Sequence, residues 1–392
     1  MLFETAFHSD LFRFIELSSK KTDFFEKNYI DPKGVQLEFP KKRRNLIYIF
    51  LESIEVTAAS KDVGGAMDVN LIPELSKLAL ENTSFTGSKE VLGGASQFIG
   101  GLWTMAGVVE QTAGIPLKII FNNLFKDDYR KDNFLVGACA IGNILKKYGY
   151  NQVQLKSADK NFARCNNYIK LHGGGTFKDS CYFDAVGKVP EDSRITWGFD
   201  DSVLFDMAKE ELEVLVEKDE PFSLTLTTVE THFPGGFLRA DCEKRYSDQY
   251  QNVLACSSKL IGEFIEWCKQ QKFYKNTTIV LAGDHLFPVR YYENLPDGYE
   301  RKVYFTIINP AIPDTRQKAR RFMAVDIFPT TLAALGVDIE GDRLGLGTNL
   351  FSDKKTILER FGLEYLNDEL RKYSDFYVNV LMSPEHACED SL

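Results

Sequence analysis

The sequence predicts an α/β sandwich built on a parallel-rich sheet, and three observations carry that prediction. Continuous apolar, β-rich runs recur at 45–51 (NLIYIFL), 222–229 (FSLTLTTV), 277–282 (TTIVLA) and 303–308 (VYFTII); strands buried on both faces of a sheet read in this way. Helical patterns lie between them, at 72–79 (IPELSKLA) and 252–271. No fixed-period repeat or low-complexity tract interrupts this alternation of strand and helix, which marks α/β architecture rather than a solenoid.

Composition bounds what such a body does. With 392 residues, 44% hydrophobic and 26% charged, the chain buries a large core and is not disordered. A net charge of −9 excludes nucleic acid as a partner, since the one dense basic run is Lys41-Lys42-Arg43-Arg44, just before the first strand. No segment reaches the roughly 18 consecutive apolar residues that span a bilayer, so the chain as given reads as soluble. The N-terminus, MLFETAFHSDLFRFIELSSKK, carries acids where a secretory signal carries bases and is not a signal peptide. Residues 1–44, broken by Asp31-Pro32 and Phe39-Pro40, read as a helical lead-in and linker.

Seven cysteines lack zinc-ribbon spacing. Local disulfides are open at Cys242/Cys256 and at Cys165/Cys181, while Cys139 and Cys268, in apolar surroundings, read as buried thiols. The odd total leaves at least one thiol without a partner in the chain.

Ligands of open α/β sheets bind beyond the carboxyl ends of the strands. There the chain has Glu52 after the first run, Glu230-Thr231-His232 after the second and Asp284-His285 after the third. Taken singly, each acid has a plain reading as a solvated strand end or a turn cap. Together, two carboxylates and an imidazole make an oxygen-rich set with one nitrogen, suited to Mn²⁺ or Zn²⁺ rather than Ca²⁺. Thr104, in GGLWTMAGVVEQTAGIPL (100–117), precedes a helical pattern. It is either an N-cap or, beside a divalent cation at an anion-binding helix N-terminus, a phosphoryl nucleophile.

LIYIFLES, GGLWTMAGVVEQTAGIPL, THFPGGF, the Cys242-to-Cys256 segment, NTTIVLAGDHL and RLGLGTNLFS, in this order, resemble the phosphoglycerol transferases of the alkaline phosphatase and sulfatase superfamily. Nearest are the membrane enzymes that put glycerol phosphate on periplasmic glucans or cell-wall polysaccharides; lipoteichoic acid synthase is more distant. The resemblance covers residues 45–355. It implies an alkaline phosphatase-like three-layer sandwich with a mixed, mostly parallel central sheet, a catalytic domain at 45–355, a membrane-proximal segment at 1–44 and a helical extension at 356–392 packed on the catalytic domain.

The resemblance further implies that Glu52, Thr104, Asp284 and His285 hold one Mn²⁺, with Zn²⁺ or Mg²⁺ as alternatives, and that Thr104 is the nucleophile. His232 then faces the phosphate or leaving group. A cation in NFARCNNYIKLHG, Arg164 or alternatively Lys170, holds the glycerol phosphate. Trp197 lines the acceptor side, although a helix start capped by Asp200 or Asp201 explains the same stretch. His172, beside Gly173-Gly174-Gly175, reads as either a site-loop residue or an incidental loop histidine, and Asp326 as a helix cap.

The expected reaction moves glycerol phosphate from phosphatidylglycerol to a glycan hydroxyl through a covalent threonine intermediate, on the extracytoplasmic face of a bacterial membrane. The membrane is reached through a region missing from this chain, beside which Phe3, Phe7, Leu11, Phe12 and Phe14 lie either on the lipid surface or packed on the catalytic body. Phosphoethanolamine transferase and phosphodiesterase or sulfatase of the same fold are the rivals, and a silent polysaccharide-binding domain is the non-enzymatic one. A formylglycine sulfatase needs Cys or Ser in a C/S-x-P-x-R setting, where this chain has Leu102-Trp103-Thr104-Met105-Ala106.

Overall fold

The computed structural model of the protein describes residues 16–118, 134–287, 289–292, 295–313 and 319–388. Its central sheet has seven strands: β1 (Asn45–Leu51), β2 (Gly94–Ala95), β3 (Asn151–Lys156), β4 (Thr176–Lys178), β5 (Phe222–Thr227), β6 (Thr277–Gly283) and β7 (Val303–Ile308). They lie in the order β2-β7-β6-β1-β5-β3-β4. β1 runs parallel to β5 and β6, and β3 to β4 and β5, whereas β7 is antiparallel to β6 and to β2. The sheet is therefore mixed and mostly parallel, as expected.

The four apolar runs are four neighbouring strands: β1, β6 and β7 are buried on both faces, while β5 packs Phe222, Leu224 and Leu226 into one core and leaves Thr225 and Thr227 half-buried on its other face. In β1, Leu46, Tyr48 and Phe50 enter one apolar core and Ile47, Ile49 and Leu51 the other, since successive side chains of a strand point to opposite faces. Helices α1 (Pro73–Glu81), α2 (Thr104–Ala113), α3 (Ile141–Lys147), α4 (Cys165–Leu171), α5 (Asp201–Glu217), α6 (Gln249–Gln270) and α7 (Ile327–Ala334) complete the sandwich. α2, α3, α4 and α7 supply the first core, and α1, α5 and α6 the second, which makes three layers. The strand β3, NQVQLK, escaped the sequence reading because only Val153, Leu155 and Lys156 in it are buried.

Residues flanking the sandwich join its first core. Phe24 and Phe25 meet Phe361 and Tyr377 with ring centroids 5.6 and 5.3 Å apart, and Leu37–Glu38 pairs with Asp338–Ile339. Phe3, Phe7, Leu11, Phe12 and Phe14 lie outside the described residues. Among the described residues, no helix is long and apolar enough to cross a membrane.

Of the two local disulfides left open, one forms. Cys242 is bonded to Cys256, whereas Cys165 is buried and Cys181 exposed, both free. Asp326 acts at a helix start as read: its carboxylate accepts from the Met323 backbone N–H at 2.8 Å in the capping box of the helical turn Ala324–Asp326 that runs into α7, and also from the Thr348 N–H at 2.7 Å, which ties a second loop to it.

Candidate active site

Strand register builds the site. Leu51 pairs with Gly283, Phe50 with Thr227, and Thr227 with Lys156, so β1, β6, β5 and β3 end level with one another. Glu52 and Asp284 consequently emerge side by side although 232 positions separate them. Glu52 follows Leu46, Tyr48 and Phe50 in parity, and this turns it towards the layer that contains α2.

Within this layout Glu52, Asp284 and His285 bring ligand atoms within 4.8 Å of one another, all three buried. His285 Nε2 stands 3.1 Å from Glu52 Oε1 and 3.7 Å from Asp284 Oδ2. Its Nδ1–H donates to the Leu286 carbonyl at 2.9 Å, which fixes the ring and aims Nε2 at the two acids. Asp284 Oδ1 accepts from the backbone N–H of Ser53 and of His285 at 2.8 and 2.7 Å, while buried Oδ2 has no hydrogen-bond partner. One nitrogen and two carboxylates held this closely, with an orphaned oxygen among them, fit a divalent cation.

Thr104 completes the cluster. Helix α2 begins at Thr104 with no side-chain cap at its N-terminus, so the capping reading of this hydroxyl does not hold. Its Oγ1 instead donates to Glu52 Oε2 at 3.2 Å. The strand ends are braced from behind: Gln97 Nε2 donates to the Asp284 carbonyl at 2.9 Å, and Gln111 Nε2 to the Gly283 carbonyl at 2.8 Å.

The electrostatics follow from burial and proximity. Burial pushes the Glu52 carboxyl up, but the hydrogen bond and charge of His285 outweigh it and hold the group well below the ordinary carboxylate range. Burial opposes protonation of His285, and the charges of Asp284 and Glu52 overcome it and raise the imidazole. Burial and then the neighbouring Glu52 charge raise Asp284. The cluster demands positive charge.

A cavity of about 210 Å³ opens beside it, lined by Glu52, Thr104, Lys156, Ala158, Asp159, Phe162, Thr196, Trp197, Thr227, Thr228, Val229 and His232. This is below the roughly 300–1,000 Å³ of drug-sized sites and suits a headgroup-sized ester. His232 Nδ1–H donates to the Phe233 carbonyl at 2.8 Å, leaving Nε2 for the cavity, and the Trp197 ring lies tilted against it, with centroids 4.6 Å apart. Asp200 caps α5, accepting from Ser202 and Val203 N–H.

Arg164 is not among the residues lining the cavity, and neither is Lys170, which is exposed on α4. The cation that lines it is Lys156, which the sequence reading missed. Its signal was the polar run QLKSAD, read as neither strand nor site because it lacks apolar continuity. His172 is buried behind α4, with Nε2–H donating to the Phe134 carbonyl at 3.0 Å.

Fold and site together define an α/β sandwich of the alkaline phosphatase type, with its chemistry at the carboxyl ends of parallel strands. The chain belongs to the sulfatase family, whose model matches residues 121–337, more than half of its length. A phosphoglycerol transferase I of Xanthomonas campestris pv. campestris (strain B100) is 29% identical over 319 residues, covering 80% of this chain and 43% of the relative. The chain spans less than half the length of the curated relatives it matches. Two solved structures share the fold. One is a protein in the alkaline phosphatase superfamily from Vibrio parahaemolyticus (TM-score 0.64, 19% identity, 87% of this chain and 78% of that chain). The other is the lipoteichoic acid synthase LtaP from Listeria monocytogenes (TM-score 0.63, 18% identity, 81% and 79%).

Proposed function

We propose that this chain is the catalytic part of an extracytoplasmic transferase that moves glycerol phosphate from phosphatidylglycerol to a glycan hydroxyl through a covalent intermediate on Thr104. The observation that carries this reading is the Thr104 hydroxyl, 3.2 Å from Glu52 Oε2 at an uncapped helix N-terminus and on the wall of the cavity. The names of the curated relatives support the transferred group.

Glu52, Asp284 and His285 would hold a divalent cation, Mn²⁺ in this reading with Zn²⁺ or Mg²⁺ as alternatives, and when bound it supplies Lewis-acid stabilisation of negative charge on nearby oxygens. Thr104 Oγ1 passes its proton to Glu52 Oε2, to which it already donates at 3.2 Å, and attacks phosphorus in line, helped by the positive end of α2; the same proton returns to Oγ1 when Thr104 is expelled. The bond from phosphorus to the diacylglycerol oxygen breaks, its electron pair stays on that oxygen, and His232 protonates it. In the second half His232 takes the proton of an acceptor hydroxyl, whose oxygen attacks phosphorus and expels Thr104 Oγ1. Trp197, in tilted ring contact with His232, lines the side on which the acceptor sugar enters.

The test is Thr104→Ala, assayed with phosphatidylglycerol vesicles and Mn²⁺, with mass spectrometry of the protein trapped without acceptor. Wild type should carry one glycerophosphoryl group on Thr104; the variant should carry none and lose about 10³-fold or more in turnover. A phosphoethanolamine adduct would favour the sister transferase instead. Undiminished transfer by Thr104→Ala ends the proposal.

A further inference from the structure

Lys156 is the last residue of β3 and is 7% exposed. Val153 and Leu155 face the second core, so Lys156 faces the opposite side of the sheet, the side of Thr104. It lines the cavity with Glu52, Thr104 and His232. Among the described residues it has neither an ion-pair nor a hydrogen-bond partner, whereas the buried Arg239 and the half-buried Arg301 each bond a carboxylate. A buried ammonium without a counterion is unfavourable. The cavity is therefore built to receive an anion beside it.

Resting on the reading above, we propose that Lys156 is the residue that grips the anionic oxygen of the transferring phosphoryl ester, the part expected of Arg164. Through Thr227, Lys156 lies two strand spacings from β1, roughly 10 Å. A lysine side chain and a tetrahedral phosphoryl group together bridge that gap to Glu52 and Thr104. Lysine acts here as a point charge, not as a bidentate fork, which leaves the other phosphoryl oxygens to the cation site and to the first turn of α2.

Calorimetry with inorganic phosphate and with sn-glycerol phosphate, in the presence of Mn²⁺, tests this. Lys156→Met keeps the length and drops the charge; it should weaken both ligands by about tenfold or more and raise KM more than it lowers kcat, while Lys156→Arg retains binding. Removing an unpaired buried cation should leave the melting temperature of the ligand-free protein unchanged or higher. Unchanged phosphate affinity in Lys156→Met, or a large fall in melting temperature that Lys156→Arg does not repair, overturns the assignment. If Lys156→Met binds normally while Thr104→Ala is inert, this inference fails and the transfer reading survives.

A separate observation carries a second inference. Cys139 and Cys388, 249 positions apart, are both buried, with sulfur atoms 3.3 Å apart. Around them the C-terminal segment is seated closely: a Cβ on Gly137 would lie 1.9 Å from the Val380 carbonyl, and Lys33 Nζ bridges the Gly137 and His386 carbonyls at 3.3 and 2.8 Å. We infer that these two thiols form a second disulfide that latches the C-terminus to the sandwich. The thiols exchange with an external disulfide, which is reduced to two thiols as the Cys139–Cys388 bond forms. Alkylation in denaturant without reductant, followed by peptide mass mapping of protein from an oxidising compartment, should give a Cys139–Cys388 linked peptide beside Cys242–Cys256. Recovery of Cys139 and Cys388 alkylated while Cys242–Cys256 stays intact overturns it.

Discussion

Gly107 lies directly on the backbone of Asp284: a Cβ at that position would stand 1.8 Å from the Asp284 carbonyl oxygen. Glycine in the middle of a helix is ordinarily unfavourable, and here it lets α2 approach the end of β6 closely enough for Thr104 to reach Glu52. Gly107→Ala should therefore lower stability by about 1–3 kcal/mol through overpacking and, by displacing Thr104, depress kcat more than KM. Denaturant unfolding and steady-state kinetics check both. Wild-type kcat in a folded variant contradicts the link.

The ligand cluster predicts a cation effect readable without turnover. Mn²⁺ should raise the melting temperature of wild type in a concentration-dependent way, because a ligand that binds only the native state stabilises it. Glu52→Gln and Asp284→Asn should each abolish most of that rise, and a chelator should reverse it. Equal rises in wild type and both variants would place the cation elsewhere.

Behind His232 lies a buried ion pair. Arg239 Nη1 donates to both oxygens of Glu230 at 2.9 Å, and Glu230 Oε1 also accepts from the Asp201 N–H. Asp201 in turn accepts from the Val229 and Glu230 N–H groups, which fastens the loop carrying His232. Arg239→Met strands a buried carboxylate and should cost about 3–5 kcal/mol. Adding Glu230→Gln should restore part of the loss. Additive single losses in the double variant would show that the pair is not coupled.

His172 predicts a pH dependence whose sign is set by burial. Desolvation lowers it from 6.5 to about 4, and its Nδ1 has no partner to receive a proton's charge. The unfolded chain thus takes up this proton more readily, so the contribution is present above pH 6.5 and is lost as pH falls through about 4. Its full size is about 3 kcal/mol. His172→Gln should flatten the stability profile between pH 6.5 and 4 relative to wild type; parallel profiles would assign acid sensitivity to other groups.

The apolar runs announced β1, β6 and β7 because a strand buried on both faces has no polar alternation to hide it, and β5 through Phe222, Leu224 and Leu226 on its one apolar face. By contrast β3 carries Asn, Gln and Lys near the sheet edge, and with it Lys156 went unnoticed. The acids after β1 and β6 were legible as strand-end residues. Arg164 is the cation that the family resemblance points to in NFARCNNYIKLHG, yet it follows a turn in which both Ala163 and Arg164 have positive φ and is not among the residues lining the cavity.

What the linear chain determined was chemistry in short range: which segments bury both faces, and which reactive side chains follow them. Only the folded sheet decided who meets whom, because register equalised four strand ends and face parity sent Glu52 and Lys156 to the side where a glycine admits the helix of Thr104. Those relations link positions up to 232 residues apart through backbone pairing and close packing, and no local pattern of letters encodes them.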